Sequence, residues 1–192
     1  METQRSNPHP SLTPAPWVER FTPLFSPGSR VLDLACGYGR HARYFASLGH
    51  HVLAVDRDAT ALATLALIPS IETQHADLEQ GAWPFGGMTF DAIVVTHYLH
   101  RPLFAPLLDA LDPSGVLIYE TFAHGNEAYG RPTNRDFLLA PNELLNRFAG
   151  VLNVIAFEQG LHRAAIRCRR RAHLRDRTCA TVAGSAAAGS SF

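Results

Sequence analysis

The sequence predicts a doubly wound α/β domain on a mostly parallel sheet. Short aliphatic runs (RVLDL, HVLAVD, FDAIVV, GVLIYETF) recur along the chain, separated by segments with apolar residues at helical spacing. Glycine- or proline-containing turns punctuate the two kinds of segment. Short hydrophobic strands alternating with helices imply right-handed crossovers and a sheet covered on both faces.

The elements follow in order. METQRSNPHPSLTPAP is polar and proline-rich, which predicts a mobile start over residues 1–14 and supplies no apolar stretch for a secretory signal. Trp17, Val18, Phe21, Leu24 and Phe25 predict a short amphipathic helix, stopped by Pro27-Gly28. RVLDL reads as the first strand, breaking through a glycine turn into a helix from Arg40 to Leu48 that Gly49 closes. HVLAVD is the second strand, and Asp58 is placed to cap a helix from Ala59 to Leu67. Ser70 to Ala76 is a weak third strand and FDAIVV a strong fourth. A helix from Pro102 to Leu111 then leads through Pro113-Ser114-Gly115 into the fifth strand, GVLIYETF. The stretch from Ala123 to Ala140 is rich in Gly, Asn and Arg and long for a connection, as lids and binding loops are. A helix from Pro141 to Phe148 and a strand from Val151 to Phe157 follow; beyond Gly160 no period is visible. We expect one domain over residues 1–183 and a disordered low-complexity tail over 184–192.

Composition narrows the chemistry. A chain of 192 residues, 46% hydrophobic, suits one full-size core. No apolar run approaches the roughly 20 residues that span a bilayer, so no membrane partner and a cytoplasmic location are expected. Cys36, Cys168 and Cys179 match neither a disulfide framework nor a zinc site and are read as free thiols. All 17 basic residues are arginine, which excludes mechanisms built on a catalytic or phosphate-binding lysine. Seven arginines fall in residues 161–192 against Asp176 alone, making this the one basic region.

The candidate ligand site lies where the first strand turns, Asp33-Leu34-Ala35-Cys36-Gly37-Tyr38-Gly39. Gly37 and Gly39 permit a tight turn and close ligand approach, and the following helix presents free N–H groups. Three carboxylates end successive strands. Asp33 can accept from an ammonium, directly or through water. Asp56 can accept from both ribose hydroxyls, and Asp77 from an adenine amino group while Leu78 offers apolar contact. Together they suit a nucleoside joined to an amino acid. Each also has a plain structural reading: turn former, helix cap or loop residue.

These segments resemble the class I S-adenosylmethionine-dependent methyltransferases over roughly residues 15 to 158. VLDLACGYGRHA is similar to that family's first motif, with Ala35 where a glycine is usual, and HVLAVDRD to the second. HADLE, FDAIVVTHYLHR and GVLIYETF resemble the third to fifth. The short N-terminal helix and compact length look closest to bacterial small-molecule enzymes of the tellurite-resistance type. The resemblance implies a Rossmann-like, seven-stranded sheet ending in an antiparallel hairpin, for which Ala164 to Cys168 or Cys179 to Val182 supply the last strand. It also implies S-adenosylmethionine as cofactor, held by Asp33, Ala35, Cys36, Gly37, Gly39, Asp56, Arg57, Asp77, Leu78 and Thr96.

Methyl transfer from a sulfonium is an in-line displacement that alignment and water exclusion accelerate. No obligatory base is legible. THYLH stands where many amino-group methyltransferases carry an Asn-Pro-Pro-Tyr type signature, which favours a small-molecule acceptor over nucleic-acid or protein amines. His97, Tyr98, Glu120, Tyr129 and Arg131 are the catalytic candidates: the first two follow the fourth strand, Glu120 ends the fifth, and the others lie in the long loop. No metal site is expected, since no third ligand joins His97 and His100 at suitable spacing. Two other readings stay open: a nicotinamide-dependent oxidoreductase sharing the glycine turn and Asp56, and a non-catalytic protein binding S-adenosylmethionine, or RNA through the arginine-rich region. Oligomeric state is not encoded in any pattern read here.

Overall fold

The computed structural model describes residues 11–164 and 175–186. Helix α1 (Pro16–Phe21) and a 3-10 turn (Thr22–Leu24) precede β1 (Arg30–Leu34), α2 (Arg40–Ser47), β2 (His51–Asp56), α3 (Ala59–Ala63) and β3 (Ile71–His75). Then come β4 (Phe90–Thr96), α4 (Phe104–Asp109), β5 (Leu111–Phe122), α5 (Glu143–Phe148), β6 (Leu152–Ala164) and β7 (Arg175–Ala186). The sheet order is β3-β2-β1-β4-β5-β7-β6. β1 to β5 pair in parallel, and β7 runs antiparallel to both its neighbours. No helix among the described residues is long and apolar enough to cross a membrane.

Alternation along each strand divides the core in two. Leu32, Leu34, Leu53, Val55, Ile93, Val95, Leu117 and Tyr119 face α4 and α5, where they meet Phe104, Leu107, Leu144 and Phe148. Val31, Val52, Ala54, Ala92, Val94, Val116 and Ile118 face the other way, against Trp17, Val18, Phe21, Ala42, Phe45, Leu62 and Leu65 of the α1, α2 and α3 region. By the same period Asp33 and Thr96 fall on the α2 face, beneath the helix. That placement decides what both residues do.

Several boundaries differ from expectation for local reasons. The helix expected to reach Leu67 ends at Ala63, because the Thr64 hydroxyl bonds back to Ala61 O at 2.7 Å and the Thr64 carbonyl is taken by Arg43. Leu111 belongs to β5, opposite Phe90; the Asp112–Ser114 turn is an irregularity inside the strand pairing. β6 extends well past Phe157 and pairs with β7, which contains Cys179 to Val182. Gly184, Ser185 and Ala186, expected in a disordered tail, close β7, with Ser185 opposite Val116 and Gly184 opposite Leu117. Main-chain pairing with β5 needs no side-chain burial, so composition alone misplaced that boundary. Residues 1–10, 165–174 and 187–192, including Cys168, lie outside the described residues.

Two polar connections tie distant segments together. Arg101 donates from Nε and Nη2 to the two oxygens of Glu143 at 2.6 and 2.9 Å, and to the carbonyls of Asp136 and Leu138 at 2.7 and 3.0 Å. It thereby clamps the long loop to the start of α5. His41, buried under the N-terminal segment, accepts from Ala15 N at Nε2 (3.1 Å), so its proton sits on Nδ1 and is donated to Thr96 Oγ1 (3.3 Å). Burial, then the neighbouring Arg40 and His97, push its pKa down to about 3.

Removing the Arg101 clamp as Arg101→Ala should lower stability by about 1–2 kcal/mol in denaturant melts, a half-exposed pair contributing less than a buried one. It should also speed hydrogen exchange at the Leu139 amide. For His41 the folded pKa lies below the unfolded value near 6.5, so its contribution is present above pH 6.5 and is lost as pH falls toward 3. Relative to His41→Gln, which does not titrate, the wild type should lose about 2 kcal/mol between pH 7 and pH 5. Parallel pH dependences in the two proteins would exclude a buried neutral imidazole.

Candidate functional site

Strand order reverses at β1, which is flanked by β2 and β4, so the carboxyl edge there opens a crevice. A cleft of about 570 Å³ occupies it, walled by Ala35, Asp56, Arg57, Asp77, Leu78, His97, Tyr98 and Arg131 among others. Eight of the residues expected in the site are thus brought to one cavity. The size falls within the usual range for small-molecule pockets.

The backbone at the reversal is left-handed at two non-glycine residues, Ala35 (φ 54°) and His97 (φ 55°), the first residues beyond β1 and β4. Such conformations cost of order 1–3 kcal/mol and persist where surrounding contacts enforce them. Here Cys36 N–H donates to Val55 O at 3.0 Å, and His97 N–H to Glu120 O at 2.8 Å. Gly39 (φ 70°) caps α2, and a Cβ there would lie 2.5 Å from Leu65 Cδ1. At Gly37 nothing lies within 4 Å of where a Cβ would stand, so the backbone is open to approach.

Asp56 braces this turn. Its Oδ2 accepts from Gly37 N–H at 2.7 Å and its Oδ1 from Asp58 N–H at 2.9 Å. Each oxygen keeps a further acceptor position for a ligand hydroxyl. Asp77 likewise accepts from Glu79 N–H at 3.0 Å while standing on the cavity wall, so the turn it forms faces the cleft.

Asp33 differs from the direct ligand contact that the strand pattern suggests. It is 1% exposed beneath α2, where Oδ2 accepts from Ala42 N–H at 2.9 Å and Oδ1 has no hydrogen-bond partner. Burial pushes its pKa up to about 7, against the lowering effects of the Ala42 N–H and Arg40. Cys36, Gly39 and Thr96 are not among the residues that wall the cleft, and Gly37 stands at its edge with its backbone open. The Cys36 thiol is pushed up by burial and by Asp33 and Asp56, which keeps it protonated.

The catalytic candidates separate. His97 stacks on Phe122 (centroids 5.0 Å apart, 20° between planes), with Nδ1 3.5 Å from Arg40 Nη2 and Nε2 3.9 Å from Glu120 Oε1. A guanidinium only donates, so Nδ1 is the acceptor and the His97 proton faces Glu120. Glu120 itself stands behind the wall. Tyr98 sits among the cofactor-end charges. Burial, then Glu79 and Asp77, push its pKa up, and its hydroxyl is buried without a hydrogen-bond partner among the described residues. The phenol therefore stays protonated on the cleft wall. Tyr129 is 52% exposed and absent from the cavity wall, contrary to expectation, because its own N–H closes the 3-10 turn Asn126–Ala128 and leaves the ring outside.

Sequence reasoning overlooked Glu79, Leu99, Thr121, Phe122 and Phe137 as wall residues, and His41 behind it. Glu79 adjoins the HADLE motif and was findable. Phe137 and His41 carry no local signal, since their roles come from contacts across the chain.

Comparison with known proteins agrees with this geometry. The family profile for the methyltransferase domain matches residues 31–115, from β1 through the glycine turn, Asp56 and Asp77 into β5. Protein-L-isoaspartate O-methyltransferase 2 of Rhodopseudomonas palustris strain HaA2 is 42% identical over 97 residues, covering 48% of this chain and 44% of that protein. Protein-L-isoaspartate O-methyltransferase of strain BisB5 is 36% identical over 138 residues, covering 68% of this chain and 63% of that protein. The chain thus spans about half the length of the curated relatives it matches. TehB from Haemophilus influenzae shares the fold, with a TM-score of 0.69 at 20% identity over 88% of this chain and 61% of that one. Residues 31–115 thus match a methyltransferase domain, the chain is similar in sequence to S-adenosylmethionine-dependent methyltransferases, and its fold is the one they share.

Proposed function

We propose that the chain transfers a methyl group from S-adenosylmethionine to a small-molecule acceptor. The observation that carries this reading is a single cleft with two chemically different ends at the strand-order reversal. The β2–β3 end, with Asp56, Asp77, Glu79, Leu78 and Leu99, suits a nucleoside: carboxylates for ribose and adenine, apolar side chains for the base. The open backbone at Gly37 admits the amino-acid portion, and the unsatisfied Asp33 Oδ1 behind the turn is an acceptor for its ammonium through a water or a small local shift.

When bound, the cofactor supplies an activated methyl with its own leaving group. The carbon–sulfur bond breaks as the bond to the acceptor forms, and any acceptor proton departs to solvent or a base. This chain's residues align and desolvate the reactants. The His97–Glu120 pair stands at the β4–β5 junction, where His97 is on the cleft wall and the Glu120 carboxylate lies 3.9 Å from its Nε2, a placement that supports His97 as the titratable group beside the acceptor. The loop carrying Arg131, Pro132 and Phe137 forms part of the cavity wall, which supports a small acceptor over a protein chain.

S-adenosylhomocysteine should bind with micromolar-range affinity in calorimetry, and Asp56→Ala should weaken it by about 1.5–3 kcal/mol, the loss expected for hydrogen bonds to a charged group. No heat with either form of the cofactor, or preferential binding of NAD, would defeat the reading. A pH series gives a second check. Asp33 has a folded pKa raised to about 7, so its charge costs stability as pH rises from about 4 through 7. A ligand ammonium favours that charge, so affinity should climb as pH rises through 7. Asp33→Asn should flatten the climb while raising the melting temperature of the free protein at pH 8.

A further inference from the structure

The acceptor end of the cleft carries information about the acceptor. In the sheet order, β5 lies three strand spacings from β2, about 14 Å. The residues beyond β5 thus form a wall separate from the Asp56 and Asp77 end. That wall consists of Thr121, Phe122, Arg131, Pro132 and Phe137. Phe137 leaves 46% of its surface open there.

Two arginines line the cleft, Arg57 at the Asp56–Asp77 end and Arg131 at the β5 end. Arg20, Arg43, Arg101 and Arg135 are each engaged by a carboxylate or a carbonyl. The Arg131 guanidinium has no hydrogen-bond or ion-pair partner among the described residues, although it borders the cavity. Its backbone is held from both sides. Asn126, 1% exposed, donates from Nδ2 to Pro132 O at 3.2 Å, and its carbonyl accepts from the N–H groups of Tyr129 and Gly130 at 2.8 and 3.0 Å. On the far side Leu138 and Leu139 are buried, and Leu139 N–H donates to Phe122 O at 2.9 Å. A polar residue buried to hold the carbonyl next to an arginine on the cleft marks a built wall, and this strap fixes the backbone from which the Arg131 side chain extends.

We propose that this strap selects a small organic anion with a planar, apolar body: Arg131 pairs with a carboxylate, and Phe122, Pro132 and Phe137 cover the flat portion. Asn126 is a positioning residue that acts through Pro132. The inference rests on the methyl-transfer reading and adds the class of acceptor to it.

The test uses the full chain with labelled S-adenosylmethionine and matched acceptors: 4-hydroxybenzoate and 4-hydroxycinnamate against their uncharged amides, with tellurite and 2-mercaptoethanol alongside. Turnover, or competition for the acceptor site, should favour each acid over its amide by about 10-fold or more. Arg131→Ala should raise the acceptor KM or inhibition constant about 10- to 100-fold and leave S-adenosylhomocysteine affinity within a factor of about two, with Arg131→Lys recovering part of the loss. Asn126→Ala should move KM in the same direction by a smaller factor. Equal use of acids and amides, an unchanged KM in Arg131→Ala, or activity confined to tellurite or the thiol would overturn the inference while leaving methyl transfer standing. Failure of S-adenosylhomocysteine to bind the wild type would overturn both.

Discussion

The turn from β1 into α2 is the constraint on which the rest of the structure depends. The chain must leave a buried parallel strand and start a helix within a few residues, and it does so through left-handed conformations at Ala35, Gly37 and Gly39. Gly39 has no Cβ, so Leu65 packs directly over the turn and closes the α3 side of the core. Asp33 holds the first turn of α2 through Ala42 N–H, and Asp56 reaches across from β2 to hold Gly37 N–H. A change at this point disturbs the helix, the neighbouring strand and the mouth of the cleft together. Glycine and carboxylate there serve folding and binding with the same atoms.

Behind the turn the protein buries two ionisable groups, an acid and a base, that both favour their neutral forms. Asp33 is driven toward its neutral form by burial, while His41 is held neutral between Ala15 N–H and Thr96. The first is left with an unsatisfied acceptor atom and the second is fully satisfied. In a low-dielectric interior an unpaired polar atom is costly. Asp33 is therefore the place where a cationic ligand has most to contribute, and His41 is a structural tie from the N-terminal segment to the end of β4.

The connection after β5 has the length of a mobile loop and the contacts of a fixed wall. Two 3-10 turns, the Arg101 clamp, the buried Asn126 and the Ala123–Leu139 bridge divide it into short supported pieces. The same support explains why Tyr129 and Arg131, two residues apart, have different fates. The tyrosine lies in the turn that closes on itself, while the arginine lies where the chain, held at Pro132, runs along the cavity.

Local sequence alone determined the strands, the glycine turn, the acids ending β2 and β3 and the cap at Asp58, because those signals sit within a few residues of one another: periodicity, missing Cβ atoms and strand-end charge. It pointed to the methyltransferase domain that matches residues 31–115 for the same reason, since the motifs occupy successive strand ends. What only the tertiary structure decided depends on partners far along the chain. Asp33 reads as a ligand contact until α2 is seen to cover that face of β1. Tyr129 reads as a site residue until its turn is seen to leave it off the cleft wall. The end of β7 reads as disordered until β5 offers it an edge of free main-chain groups. Backbone pairing and burial belong to the assembled sheet, and no window of sequence contains both partners.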